Sequence, residues 1–155
     1  MKKSEPIQIK HAPMTFLEIG AGEKTATHLM PKIRPGDRYV AVDVRPLYPY
    51  DRVGVKRRGV ENLLAHADVF SLPLKDNSVD QVVSCNMISD PGFSQYYLRG
   101  FSLSFRQSIE KLEAELHRVT RKGASITFHE HYTPWVLDRL QLDENSETRM
   151  QSLKA

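Results

Sequence analysis

The sequence predicts an α/β fold: a mostly parallel sheet with helices on both faces. Three observations carry this expectation. Short apolar runs with strand character alternate with segments of helical spacing along most of the chain. The first run, Met14 to Ile19, ends in the small-residue turn Gly20-Ala21-Gly22. A long amphipathic segment beginning at Phe105 sits between two strand-like runs, with its apolar residues at spacings of four and three.

Taken in order, Met14-Thr15-Phe16-Leu17-Glu18-Ile19 reads as the first strand and Thr25 to Ile33 as a short helix, after which Pro35-Gly36-Asp37 breaks the chain. Tyr39 to Val44 is a second apolar strand, closed by Arg45-Pro46. A short helix is expected over Val60 to His66, a third strand around His66-Ala67-Asp68-Val69, and a fourth over Val79 to Ser84 after the turn Lys75-Asp76-Asn77-Ser78. Phe105, Ile109, Leu112, Leu116 and Val119 share one helix face. Arg121 and Lys122 are expected at its C-terminal end, with Gly123 as a left-handed cap. Ala124 to His129 is a fifth strand whose alternation of Ala124, Ile126 and Phe128 with Ser125, Thr127 and His129 suits a sheet edge. Thr133 would cap one last short helix reaching Leu142.

The 155 residues fit one domain, with a core over about 14–130 and a C-terminal extension over 131–155. A hydrophobic fraction of 40%, a charged fraction of 26% and a mean hydropathy of -0.46 exclude a disordered or membrane-embedded chain. Cys85 is the single cysteine, so no disulfide closes within the chain, and no apolar run reaches membrane-spanning length; the cytoplasm is the expected compartment. A net charge of +3 tolerates an anionic partner such as nucleic acid without requiring one, and the cluster Arg52, Lys56, Arg57, Arg58 reads as a solvated loop.

In open α/β sheets ligands bind outside the carboxyl ends of the strands, and the informative residues fall there. Glu18 ends the first strand before Gly20, Ala21 and Gly22, where bulky side chains would keep a ligand from the backbone. Asp43, followed by Val44, ends the second, where a carboxylate can accept hydrogen bonds from both hydroxyls of a ribose. Asp68-Val69-Phe70-Ser71-Leu72-Pro73 leads into Asp76-Asn77-Ser78-Val79-Asp80 and a valine-rich strand.

On those residues, from Phe16 to about Phe128, the chain resembles the class I S-adenosyl-L-methionine (SAM)-dependent methyltransferases. The resemblance implies a Rossmann-like sheet, SAM as cofactor and a small-molecule or macromolecular methyl acceptor. It further implies that Glu18, Gly20, Ala21 and Gly22 lie beside the methionine part of the cofactor and that Asp43 and Val44 hold the ribose. Asp68 would meet the adenine amino group, Val69 would offer its amide, and Asn86 would stand where cofactor and acceptor meet. Asn86, Asp90 and His129 are the candidates for a catalytic role. Asp76 and Asp80 read as turn and strand-start residues. Lys24 replaces the family's third glycine and is expected to point to solvent or to the cofactor carboxylate.

Family members continue through a further helix and a strand hairpin, which this sequence is expected to lack. The fifth-strand edge would then be covered by Trp135, Val136 and Leu140, or by a second subunit in a homo-oligomer. Acceptor recognition falls to the segment from Asn86 to Phe105, with Phe93, Tyr96, Tyr97, Arg99 and Phe101. His129, Glu130 and His131 are not expected to bind a metal, because strand alternation turns Glu130 away from both histidines. A second function class stays open: a catalytically inactive, methyltransferase-like module that works with a partner. A nicotinamide-dependent oxidoreductase lacks its Gly-x-Gly-x-x-Gly fingerprint, since Thr25 occupies the third glycine position.

Overall fold

The computed structural model describes residues 12–22, 32–45, 59–85, 87–88, 90 and 103–129. Five strands, β1 (Thr15–Ile19), β2 (Arg38–Asp43), β3 (Glu61–His66), β4 (Val79–Cys85) and β5 (Thr120–His129), form one sheet in the order β3-β2-β1-β4-β5. Every pairing is parallel. The first three strands step outward in one direction from β1, and β4 returns to its other side. The strand order thus reverses at β1 and β4, which opens a crevice between their carboxyl ends.

Burial follows position in the sheet. All five residues of β1 are buried, and β2 is buried after its first residue, as expected of central parallel strands covered on both faces. On one face Leu17, Ile19, Val40, Val42 and Val82 pack with Ile126, Phe128 and the helix α1 (Phe105–Val119). Leu112, Leu116 and Val119 of α1 are fully buried there, and Ile109 packs against them, so the spacing read in the sequence is the docking face. On the other face Phe16, Tyr39, Ala41 and Val83 pack with Ala21, Ile33 and Val60. No helix among the described residues is long and apolar enough to cross a membrane.

Both ends of α1 are locally determined. Ser104 and Gln107 make a capping box: the Ser104 hydroxyl accepts from the Gln107 amide at 3.2 Å, and Gln107 Oε1 accepts from the Ser104 amide at 2.8 Å. At the other end Thr120 turns extended, and its hydroxyl donates to the Leu116 carbonyl at 2.8 Å. The helix therefore stops before Arg121, and β5 begins at Thr120 rather than Ala124. Gly123 does adopt a positive φ of 80°, but inside β5. The β4 and β5 registers shift there, with Val79 opposite Thr120 and Gln81 opposite Ser125, so the glycine serves a strand irregularity and not a helix cap. Arg121 pairs with Asp80 at 2.9 Å, and Asp80 also accepts from the Thr15 amide at 2.7 Å, which ties the start of β1 to β4 and β5.

A second expectation is corrected at 60–66. This segment is not a helix but strand β3, and Asp68-Val69 lie in the turn after it. Glu, Asn, Leu and Ala favour helix over strand, and the adjacent Leu63 and Leu64 hide the alternation. What decides the conformation is six successive register pairs with β2, from Arg38 opposite Glu61 to Asp43 opposite His66. Placement at the sheet edge leaves Leu63 exposed. Among the described residues β5 stands at the opposite edge, as its alternation suggested. The residues proposed to cover that edge, all but the last two residues of the helix expected over Thr25 to Ile33, and the helix expected in the extension lie outside the described residues.

Two breaks in the sequence are fastened by charge. Buried Asp37 accepts from the amides of Met14 at 2.9 Å and Arg34 at 2.8 Å, so the break before β2 also pins the entry to β1. The polar side of α1 grips the loop after β3. Glu115 Oε1 accepts from the Leu72 amide at 2.6 Å, and Arg118 forks onto Glu115 at 2.6 and 2.9 Å. The hydrogen bond from Arg118 holds the Glu115 carboxyl below its ordinary value near 4.5, with the Leu72 amide adding to the effect and burial opposing it. A carboxylate lowered in the folded state contributes stability above its unfolded pKa and loses it as pH falls. The urea midpoint of the wild type should therefore fall more steeply than that of Glu115→Gln as pH drops from 6 to 3. Parallel pH profiles would contradict this origin of acid sensitivity.

Candidate active site at the strand ends

The carboxyl ends of β1, β2 and β4 and the turn after β3 converge on the crevice. Glu18, next to the end of β1, is a buried carboxylate, which is costly unless donors meet it. The hydroxyl of fully buried Tyr39 donates to Glu18 Oε2. Both residues face the same side of the sheet, and the parallel pairing of β1 with β2 brings them together. The sequence reading missed Tyr39. Its signal was present, because Tyr39, Ala41 and Asp43 share one strand face by period two.

The two glycines of the turn have different reasons. Gly20 has φ 62°, and a Cβ there would lie 2.5 Å from Met87 Cγ and 2.6 Å from Met87 Cβ. The room that the sequence suggested for a ligand is filled at this position by Met87, which arrives from beyond β4. Gly22 has φ 55°, and among the described residues nothing lies within 4 Å of a Cβ placed there. Between them, Ala21 is buried and its amide reaches the Val42 carbonyl at 3.1 Å, which carries the β1–β2 ladder one step into the turn.

Asp43 joins this turn to the end of β2. Its Oδ2 accepts from the Gly22 amide at 2.8 Å, and its Oδ1 accepts from the Arg45 amide at 2.8 Å with the Arg45 guanidinium at 3.5 Å. The residue is 3% exposed and fixed by backbone donors, yet an ionised carboxylate offers about four acceptor positions, so Oδ2 retains one for a further donor, and Oδ1 gains one where the exposed Arg45 guanidinium at 3.5 Å gives way. Val44 extends the rim, and its carbonyl lies 2.6 Å from His66 Nε2 at the end of β3. Arg45 and His66 were not singled out in the sequence. His66 was hidden by the helical reading of its segment.

Asp68 lies two residues past β3. Its Oδ1 accepts from the Phe70 amide at 2.8 Å, and its carbonyl accepts from Ser71 at 3.1 Å, so it shapes a turn as Asp commonly does. Among the described residues no hydrogen bond engages its Oδ2. Val69 buries its side chain in the core beside Leu72, which anchors the turn from below.

The acceptor-side candidates separate. Asp90 is exposed, and its amide reaches the Met87 carbonyl at 3.3 Å. His129 stands opposite Cys85 at the end of β5, next to the end of β4. Its side chain, together with Asn86, Lys24, Glu130, His131 and the aromatic residues from Phe93 to Phe101, lies outside the described residues. No cluster of metal-ligating side chains occurs among the described residues. Asp76 and Asp80 pair with Arg118 and Arg121, at 2.6 and 2.9 Å, and serve the fold.

The Gly20 and Met87 contact can be measured. Gly20→Ala should cost about 2–5 kcal/mol, from left-handed strain and from overpacking. A double-mutant cycle with Met87→Gly, which removes both contacting atoms, should return a coupling of about 1–3 kcal/mol in denaturation free energies. Strict additivity would show that Met87 is not what excludes a side chain at this position.

Comparison with known proteins places this geometry. A family model described as a methyltransferase domain matches residues 17–128, from β1 to the end of β5. No curated protein matches the chain by sequence. Among solved structures, the chain is similar to a chain of the complex between the Haloferax volcanii Trm112 methyltransferase activator and its methyltransferase, with TM-score 0.54 and 15% identity, covering 92% of this chain and 60% of that one. It is similar to the YcgJ protein of Bacillus subtilis, with TM-score 0.51 and 18% identity over 92% and 62% of the two chains. It is also similar to Haemonchus contortus phosphoethanolamine N-methyltransferase 2 in complex with S-adenosyl-L-methionine, with TM-score 0.51 and 14% identity over 94% and 34%. The chain thus spans less than two-thirds of the length of each of these structures. With the family match running through all five strands and the crevice between them, the chain belongs to the methyltransferase-domain family and carries a class I SAM-dependent methyltransferase-like core.

Proposed function

We propose that the crevice binds S-adenosyl-L-methionine and that the protein transfers its methyl group to an acceptor. The observation that carries this reading is Asp43, a buried carboxylate at the end of β2, one strand from the topological switch, fixed by the amide of Gly22 in the turn that leaves β1. A nucleoside fits these features: its ribose hydroxyls would donate to Asp43 beside Val44, and its adenine amino group to Asp68 Oδ2, with the Val69 amide alongside. Glu18, Gly20, Ala21 and Gly22 would border the amino acid part.

The cofactor supplies a sulfonium-bound methyl that is already electrophilic, so the protein needs to align donor and acceptor and requires no nucleophile of its own. Asp43 and Asp68, held by backbone amides, orient the nucleoside without rearranging. Tyr39 holds the Glu18 carboxylate in place behind the turn. On the acceptor side Asn86, Asp90 and His129 are assigned the task of binding the acceptor or taking its proton. Turn and cap bonds account for one oxygen of Asp68, and its Oδ2 has no hydrogen bond among the described residues, which favours the cofactor-binding reading over a scaffold. The acceptor, a small molecule or a macromolecule, is assigned to the segment from Asn86 to Phe105.

Calorimetry with SAM, S-adenosylhomocysteine and NAD tests the reading. The first two should bind with micromolar affinity and NAD should not. Asp43→Ala should weaken both by at least about 100-fold, the loss expected when two hydrogen bonds to a charged group disappear. Binding of NAD alone, or of none of the three, would overturn the proposal.

A further inference from the structure

The cofactor reading places Asp68 at the adenine but leaves open what keeps its turn still. The described structure contains a device for this on the far side of the same loop. Two residues after Phe70, the chain is clamped to α1. The Leu72 amide donates to Glu115 Oε1 at 2.6 Å, and the Leu72 carbonyl accepts from Arg118 Nη2 at 3.0 Å, so one residue of the loop has both backbone groups held by an adjacent acid and base. Arg118 Nη1 continues along the loop to the Leu74 carbonyl at 2.9 Å and the Asp76 carboxylate at 2.6 Å. Its Nε closes back on Glu115 Oε2 at 2.9 Å. The Leu74 amide reaches the Leu72 carbonyl at 2.8 Å, so the gripped residues also hold each other.

A guanidinium suits this task because its planar fork addresses several acceptors in fixed directions, and an ammonium does not. The grip is also connected to the turn. Asp68 accepts from Phe70 and Ser71, immediately before Leu72, while Val69 and Leu72 are buried in the same core cluster under α1. With Leu72 fixed, the Asp68 turn has an anchored exit as well as an anchored entry at β3, where the Ala67 amide donates to the Asp43 carbonyl at 3.0 Å.

We infer that Glu115 and Arg118 are positioning residues for base recognition: they hold the Leu72–Asp76 loop so that Asp68 presents Oδ2 to the amino group of the cofactor's adenine. The inference rests on the cofactor reading above and assigns its base selectivity to a clasp that touches no ligand. Hypoxanthine carries a carbonyl oxygen where adenine carries its amino group, so a fixed Asp68 carboxylate would face an acceptor and reject it.

The test compares binding of S-adenosylhomocysteine with its analogue in which hypoxanthine replaces adenine. The wild type should prefer the adenine compound by at least tenfold. In Arg118→Lys and Glu115→Gln this ratio should fall at least fivefold, mostly by loss of affinity for the adenine compound. A merely structural role would reduce the folded fraction and weaken both ligands alike, leaving the ratio unchanged. Amide hydrogen exchange without ligand gives a second readout: Phe70, Leu72 and Leu74 should exchange at least tenfold faster in the variants, with β1 and β4 protected as in the wild type. Should both variants fail to fold, Asp76→Asn at the exposed rim carries the same two measurements, with a smaller drop expected in the same direction. An unchanged ratio in a folded variant overturns the inference. A wild type that binds both compounds equally overturns it too, while leaving SAM binding in place. A wild type that binds neither compound overturns the cofactor reading and the inference with it.

Discussion

The complete burial of β1 is the constraint from which the rest of the architecture follows. A five-residue strand hydrogen-bonded on both sides and covered on both faces leaves none of its side chains in contact with solvent, yet one of them is Glu18. Part of the cost of burying that carboxylate is met because β2 lies in register and delivers the Tyr39 hydroxyl to it. The strand order reverses at the same place, since β2 and β4 flank β1 and their onward connections leave in opposite directions. A crevice at the carboxyl end of β1 is the geometric result. The turn that leaves β1 must then remain thin, and Met87 packing onto Gly20 shows that this thinness serves the protein's own packing as well as any ligand.

Asp43 and Asp68 show how a single residue type can satisfy local structure and still be available for recognition. Each has a carboxylate oxygen committed to a backbone amide nearby: Arg45 and Gly22 for the first, Phe70 for the second. Such bonds are the ordinary behaviour of Asp in turns and caps. They also remove rotational freedom from the carboxylate before a ligand arrives, which lowers the ordering cost of binding. A structural role is therefore no argument against a binding role at these positions.

Helix α1 works on two sides. Its apolar face supplies Leu112, Leu116 and Val119 to the core, while Glu115 and Arg118 on its flank hold a loop that has no regular structure of its own. Fixing a loop through its backbone carbonyls and amides makes its position depend on the helix rather than on its own sequence. That couples the loop after β3 to a helix whose apolar face is buried in the core.

Periodicity in the sequence was sufficient for β1, β2, β4 and α1, because continuous burial and a 3.6-residue apolar face leave direct marks on composition. Glu18, Asp43 and Asp68 were legible because acids next to turn residues stand out at strand ends. β3 was not legible: Glu61 to His66 prefers helix locally and becomes a strand only by pairing with β2. The end of α1 and the left-handed Gly123 were likewise settled by the β4 and β5 registers, which demand an irregularity three residues beyond the helix. Tyr39 beside Glu18, Met87 on Gly20 and Arg118 on the Leu72 loop join residues 21, 67 and 46 positions apart. By itself the sequence determined the α/β class and the central strands and marked Glu18, Asp43 and Asp68 as candidates, since these depend on local pattern. Only the tertiary structure decided the edge strand, the occupant of the Gly20 space and the partners of the buried charges, since each depends on which distant segment comes to lie alongside.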